Sequence, residues 1–142
     1  MIGGFAVIFH GFVRGTKDID LLVDTSKENV KKLKQGMSVL SDNAVSLIAD
    51  DEVEKYQVVR IADEIVVDLM AKACGIGYQE AQQGIEWIEI EGVRIPVADK
   101  EWLIRMKDTI RPSDHMDIGY LKQRILEEAR VTSGTKKNSL LF

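Results

Sequence analysis

Short apolar segments of this chain alternate between the spacing of a helix and that of a strand, which restricts it to a mixed α/β or α+β domain with one sheet. Residues 4–13 suit a buried helix, and residues 18–24 alternate as a half-buried strand. Ser26 is placed to cap a helix over residues 27–40. The later pattern predicts strands at 56–61 and 64–70, a short helix at 78–83, a hairpin of 86–90 with 93–97, a helix at 100–107, a break at Pro112 and a last helix from 113 or 114 to about 130.

Composition excludes several classes of protein. The 142 residues have the length of one domain, and no apolar run approaches the ~20 residues of a membrane-spanning helix. Cys74 is the only cysteine, which excludes an internal disulfide, and one cysteine with two histidines excludes a Cys/His zinc cluster. We therefore expect a protein of the reducing cytoplasm without a membrane partner.

Charge is spread unevenly along the chain. Residues 1–99 carry ten Lys and Arg against seventeen Asp and Glu, a net of −7, and residues 100–142 carry nine against six, a net of +3. This acidic balance does not favour sequence-independent binding of nucleic acid, although the basic part could face a phosphate locally. We assign residues 1–130 to one domain and 131–142 to a C-terminal tail, whose final Leu-Leu-Phe could dock on the body or on a second subunit.

The most informative segment is Asp18-Ile19-Asp20 on the first predicted strand. Carboxylates at i and i+2 of a strand point to the same side, and two neighbouring negative charges call for a cation. Mg²⁺ is commonly held by one or two carboxylates together with substrate phosphates. Alone, an Asp-x-Asp pair is more often a solvated polar face than a metal clamp.

Two further features favour the metal clamp. Gly3 and Gly4 open the helix before this strand, and glycines at a helix N-terminus allow backbone N–H groups to approach an anion. Asp68 lies among apolar residues of a later strand, where an acid is costly unless it is paired or metal-bound. A third carboxylate on an adjacent strand would complete a two-metal site.

The stretch IGGFAVIFHGFVRGTKDIDLLVD, followed by VVDLM, resembles the nucleotidyltransferase superfamily with the DNA-polymerase-β-type fold, and is most like its AbiEii/AbiGii-type and MNT-like bacterial members. The superfamily pattern is a hydrophobic residue with Gly and then Gly or Ser, followed after a gap by Asp-x-Asp and later by a third acid. Ile2-Gly3-Gly4, the acids at 18 and 20, and Asp68 match it in order. The resemblance covers roughly residues 1–125 and implies a mixed β-sheet flanked by helices, with a C-terminal helical segment.

This resemblance implies transfer of a nucleoside monophosphate from a nucleoside triphosphate to an acceptor hydroxyl, with release of pyrophosphate. It implies that Asp18, Asp20 and Asp68 bind one or two Mg²⁺ ions, and that Asp68 also helps to deprotonate the acceptor. The glycine pair would hold the β- and γ-phosphates. Further candidates for reaching the phosphates by charge or hydroxyl group are Arg14, Thr16, Lys107 and Arg111.

The chain departs from the family pattern at its start, where only Met1 and Ile2 precede the glycine pair in place of a full strand. We expect an exposed sheet edge, a looser glycine turn and a tendency to pair edges as a homodimer, unless a hydrophobic segment lies upstream. The alternative is a catalytically degenerate nucleotidyltransferase-fold binding module, such as one component of a toxin–antitoxin pair. A self-associating scaffold that uses the apolar end of the tail is a third reading. The acceptor stays open between an RNA 3′ end, a protein side chain and a small molecule, and the nucleobase is not readable.

Overall fold

A three-stranded sheet forms the centre of the computed structural model, which describes residues 1–139, with side-chain detail through residue 133. Its strands are β1 (Asp18–Leu22), β2 (Val59–Ala62) and β3 (Val66–Met70), in the order β1-β3-β2. Strand β1 runs parallel to β3, and β2 runs antiparallel to it. The mixed α/β class predicted from the apolar periodicity is therefore confirmed.

Helices precede and follow β1 in the first half of the chain. Helix α1 (Gly3–Phe9) leads into β1, and α2 (Lys27–Met37) follows it. The Ser26 hydroxyl accepts a hydrogen bond from the backbone N–H of Asn29, as the capping prediction requires. A 3-10 turn (Ala44–Leu47) and the short helix α3 (Glu52–Lys55) then pack with α2 on the sheet, in a core lined by buried branched residues: Val23, Val45, Val53, Val59, Ile61, Val67 and Leu69.

The second half of the chain packs around a second core, which is also lined by α1 and by Leu22 of β1. Its elements are β4 (Lys72–Ala73), β5 (Ile76–Gly77), α4 (Tyr78–Ala81), a 3-10 turn (Gln82–Gly84), β6 (Ile85–Ile90), β7 (Val93–Ala98), α5 (Lys100–Met106) and α6 (Pro112–Ser139). Strands β4 and β5 pair with each other, and β6 with β7. The prediction of one sheet was therefore wrong, since the strands form three small sheets. Helices α5 and α6 pack against α1 through Val7, Leu103 and Leu121, all fully buried.

The first two residues connect the central sheet to the second half of the chain. The backbone N–H of Ile2 donates to the carbonyl of Asp20 on β1 at 2.9 Å, and the N–H of Ala98 on β7 donates to the carbonyl of Met1 at 3.0 Å. The terminal ammonium of Met1 donates to the carbonyl of Pro96 at 2.6 Å, and its burial lowers the pKa of that amine. The outer edge of β1 is thus paired at a single residue, close to the exposed edge expected from the sequence.

The last helix differs from its prediction at both ends. Pro112 does not break the chain but begins α6, because a proline at the first helical position loses no hydrogen bond. The helix does not end near Arg130 but continues to Ser139, so most of the predicted tail at 131–142 is helical. The apolar end of that tail, residues 140–142, lies outside the described residues. Within the described part of the chain, no helix is both long and apolar enough to cross a bilayer.

Candidate active site

The three predicted acids lie on two neighbouring strands of the central sheet. Asp20 on β1 is directly opposite Asp68 on β3 in the parallel register, and Asp18 lies two residues before Asp20. Asp68 is buried, whereas Asp18 and Asp20 are half-buried. The strand alternation therefore brings the three acids together, as the sequence predicted, even though Asp68 is far from the pair along the chain.

Arg60 joins two of these acids. It lies on β2 opposite Asp68, and its Nε and Nη2 atoms donate to the two carboxylate oxygens of Asp68 at 2.8 and 2.7 Å. The same Nη2 atom donates to Asp18 Oδ2 at 2.8 Å. These bonds and charges raise the pKa of Arg60, so the guanidinium is charged at any ordinary pH. Sequence reasoning missed this residue, although Val59 and Ile61 are apolar neighbours that mark its side chain as facing the other side of the strand.

The third acid, Asp20, lies against the start of α1. Its carboxylate accepts a hydrogen bond from the backbone N–H of Gly4. Burial raises the pKa of Asp20, the negative charge of Asp68 raises it further, and the Gly4 N–H and the charge of Lys107 oppose the shift only in part. Asp20 is thus the acid of the three whose charge is least compensated.

Gly3 and Gly4 make room for this arrangement. Gly3 has φ +71°, and a Cβ atom there would lie 1.9 Å from Asp20 Oδ2. A Cβ atom at Gly4 would lie 2.7 Å from Thr16 Oγ1. Glycine at these two positions therefore leaves space for the side chains of Asp20 and Thr16 to pack against α1. This packing role is separate from the phosphate contact that the sequence suggested.

Replacing Gly3 tests this close approach. Gly3→Ala places an L-residue at a left-handed φ and puts its methyl group onto the Asp20 carboxylate, so we expect a loss of roughly 2 kcal/mol in the free energy of unfolding. Thermal and urea unfolding measure it. Gly36→Ala is the matched control, because Gly36 lies in α2 with open space around it, and alanine there should stabilise the helix by about 0.5 kcal/mol. Equal effects of the two substitutions would contradict this geometry.

A cavity of about 490 Å³ opens beside the acids. Asp18 and Thr16 lie outside the cavity lining. The lining contains six other residues that were predicted for the site: Gly3, Gly4, Arg14, Asp20, Asp68 and Lys107. The lining also contains Arg111, which the sequence offered as a phosphate contact, and Lys72 and Cys74, which it did not. The cavity lining therefore contains both carboxylates and cationic side chains.

The cations predicted to reach phosphate are already paired. Lys107 Nζ lies 2.7 Å from Asp117 Oδ2 and 3.1 Å from Asp114 Oδ1, and Arg14 Nη1 also donates to Asp117. Asp114 and Asp117 are buried residues of α6. Burial alone would raise the pKa of Asp114, but hydrogen bonds from Thr109, Arg111 and Lys107 outweigh it and lower that pKa.

Lys72 is the cation of the cavity that sequence reasoning missed. It lies on β4, two residues after β3 ends, and its side chain is exposed. No carboxylate pairs with it among the residues whose side chains the structure describes. Its charge is available to a ligand in the cavity, whereas the charges of Lys107 and Arg14 are shared with α6. The signal for it was the end of β3, since a residue just past a strand that carries a site acid lies beside that site.

The acids suit a hard cation in their chemistry, since Mg²⁺ takes carboxylate oxygens. Among residues 1–133, however, no three His, Cys, Asp or Glu side chains stand in an arrangement that would hold a metal ion. The guanidinium of Arg60 lies between Asp18 and Asp68 instead. A Mg²⁺ ion here would therefore need oxygens of a bound phosphate in addition to the acids, and it would compete with Arg60 for Asp18 and Asp68.

Known proteins give no assignment for these residues. No protein-family model matches the chain, and no curated protein is significantly similar to it.

Proposed function

We propose that this chain is a Mg²⁺-dependent nucleotidyltransferase with the DNA-polymerase-β-type fold, of the AbiEii/AbiGii-type or MNT-like kind. The observation that carries the proposal is the pairing of Asp20 with Asp68 on adjacent parallel strands, at one wall of a cavity that also contains the start of α1 and several cations. Parallel strands that present acids beside a helix N-terminus give both a cation site and an anion site within one cavity.

In this proposal a nucleoside triphosphate lies with its phosphates toward the cationic side chains of the cavity. Lys72 and Arg111 would bind phosphate oxygens there, close to the start of α1 at Gly3 and Gly4. Lys107 would contribute its positive charge from a position fixed by α6. Holding the α-phosphorus at a fixed place beside the acids is the main contribution of these residues, since positioning and electrostatics dominate phosphoryl chemistry.

The reaction joins an acceptor hydroxyl to the α-phosphorus. The oxygen–phosphorus bond forms as the bond from the α-phosphorus to its bridging oxygen breaks, pyrophosphate leaves, and Asp68 takes the proton of the hydroxyl. Asp18, Asp20 and Asp68 would hold Mg²⁺, which supplies Lewis-acid stabilisation of the charge on the transferring phosphoryl group. The acceptor hydroxyl could belong to an RNA 3′ end, a protein side chain or a small molecule.

Pyrophosphate release tests this function. Incubation of the purified chain with each labelled nucleoside triphosphate and Mg²⁺ should yield pyrophosphate and a nucleotide-labelled product, on a supplied acceptor or on the chain itself. Asp18→Asn should reduce the yield strongly, because it removes one ligand and also one partner of Arg60. Unchanged turnover in Asp18→Asn, with the fold intact, would rule the mechanism out.

A second candidate function is a binding module with the same fold but without catalysis, such as one component of a toxin–antitoxin pair. The observation that favours it is the neutralised state of the site, in which Arg60 pairs with two acids while Arg14 and Lys107 pair with Asp117. Calorimetry with a nucleoside triphosphate and Mg²⁺ distinguishes the two functions. Metal-dependent binding without turnover would favour the module, and turnover would exclude it.

A further inference from the structure

We propose that Arg60 is a tethered cation that competes with the divalent ion for Asp68 and Asp18, so that the site changes between an arginine-closed state and a metal-loaded state. This inference rests on the proposed function, because it concerns the same three acids. It adds a residue and a form of regulation that neither the family resemblance nor the sequence pattern supplied.

The hydrogen bonds of Arg60 place a cation on the oxygens that a metal ion would use. Arg60 occupies both oxygens of Asp68 at 2.8 and 2.7 Å and one oxygen of Asp18 at 2.8 Å. A planar guanidinium that makes two parallel bonds to one carboxylate is among the strongest neutralising contacts available to an acid. Each carboxylate oxygen has a second acceptor site, but a metal ion there would lie close to the charge of the guanidinium, so the two cations compete for these acids.

The acid and the arginine differ in burial. The side chain of Asp68 is only 9% exposed, whereas that of Arg60 is 58% exposed. A buried carboxylate needs a counter-charge at all times, because an unpaired buried charge is costly. The guanidinium, in contrast, can return to water at little cost. The exchange of Arg60 for a divalent ion therefore keeps Asp68 neutralised throughout and leaves only an exposed side chain to move.

Asp20 is available to an ion while Arg60 holds the other two acids. Asp20 makes no bond to Arg60 among the contacts of the described side chains and faces the cavity directly opposite Asp68. An arriving ion can therefore contact Asp20 first, before Arg60 has left the other two acids. A metal already bound to the triphosphate would bring the charge and the ligands needed to complete the displacement.

Direct titration with Mn²⁺ tests the competition without any turnover. The free Mn²⁺ signal in electron paramagnetic resonance gives the dissociation constant, measured with and without a nucleoside triphosphate. Arg60→Gln should bind Mn²⁺ about threefold to tenfold more tightly than the unchanged chain, because the competing cation is gone. Arg60→Lys should fall between the two, since it keeps the charge but loses the paired bonds, and it also serves if the glutamine variant does not fold.

Arg94→Gln is the matched control, because Arg94 lies on β7 over the ring of Trp87 and outside the cavity lining. It should leave Mn²⁺ binding unchanged. Equal Mn²⁺ affinity in the unchanged chain, Arg60→Gln and Arg60→Lys, with binding still lost in Asp68→Asn, would overturn the competition and leave the proposed function standing. No Mn²⁺ binding in any of them, with or without nucleotide, would overturn both.

Discussion

Asp20→Asn should lower the rate of nucleotidyl transfer by roughly a thousandfold or more, without lowering the stability of the protein at neutral pH. The loss of activity follows from the loss of a negatively charged ligand opposite Asp68. Asparagine has nearly the same shape, and its carbonyl oxygen can still accept the hydrogen bond from the N–H of Gly4. The substitution therefore removes a charge and leaves the packing in place.

The stability part of this prediction follows from the pKa of Asp20. Burial and the charge of Asp68 raise that pKa above its usual value of 3.8, so the folded protein holds the proton more tightly than the unfolded chain does. The contribution of Asp20 to stability therefore falls as pH rises from 3.8 through the raised folded value. Asparagine does not titrate, so the variant should gain stability relative to the unchanged chain as pH rises across this window.

Thermal unfolding of both proteins at about pH 3.5 and at about pH 7 measures this difference. Asp42→Asn is the control, because Asp42 is exposed and lies outside the cavity lining. It should change neither pyrophosphate release nor the pH dependence of stability. A variant at Asp20 that loses stability as pH rises, or that keeps its activity, would contradict the role given to this acid.

Asp117→Asn should cost about 3 kcal/mol in the free energy of unfolding, because it leaves the half-buried Arg14 without its partner and the buried Lys107 with Asp114 alone. Asp117 is 0% exposed, and its Oδ2 atom is shared by Lys107 at 2.7 Å and by Arg14. This network connects α5 and the loop before β1 to α6, so its loss loosens the packing of α6 as well as its charge balance. Urea unfolding at neutral pH measures the effect.

An exposed acid of the same helix is the matched control for this substitution. Glu127→Gln removes a carboxylate that pairs with Arg124 at 3.3 Å, with both side chains more than two-fifths exposed (41% and 44%). Exposed pairs of this kind contribute about 0–1 kcal/mol, so the control should change stability little. A similar small loss at Asp117 would show that the buried network does not hold α6 in place.

Local features of the fold were predictable from the sequence because their causes are local. The alternation at 18–24, the cap at Ser26 and the turn at Glu91-Gly92 each depend on neighbouring residues, and the structure has β1, α2 and the hairpin of β6 and β7 where they were expected. The extension of α6 was missed because residues after Arg130 include Thr, Ser and Gly, which are weak helix formers. Continuing a helix that already exists costs less than starting one.

Features of the site that depend on distant pairing were predictable only in part. The proximity of Asp68 to Asp18 and Asp20 could be anticipated, because both predicted strands that carry these acids were expected in the same sheet. The capture of Asp68 by Arg60 depends on the register of β2 against β3, which no local pattern specifies. The pairing of Arg14 with Asp117 joins residues 103 positions apart, so a cation that the sequence offered to phosphate is already held by α6.

The central claim is that the acids on β1 and β3 and the start of α1 form a single binding site for a metal-bound triphosphate. Paramagnetic broadening by Mn²⁺ in ¹⁵N-correlated spectra, recorded with a nucleoside triphosphate, tests it directly. We predict selective loss of the amide signals of Gly3, Gly4, Asp20, Asp68 and Lys72, and recovery of these signals in Asp68→Asn. Broadening centred elsewhere, or unchanged by Asp68→Asn, would contradict the claim.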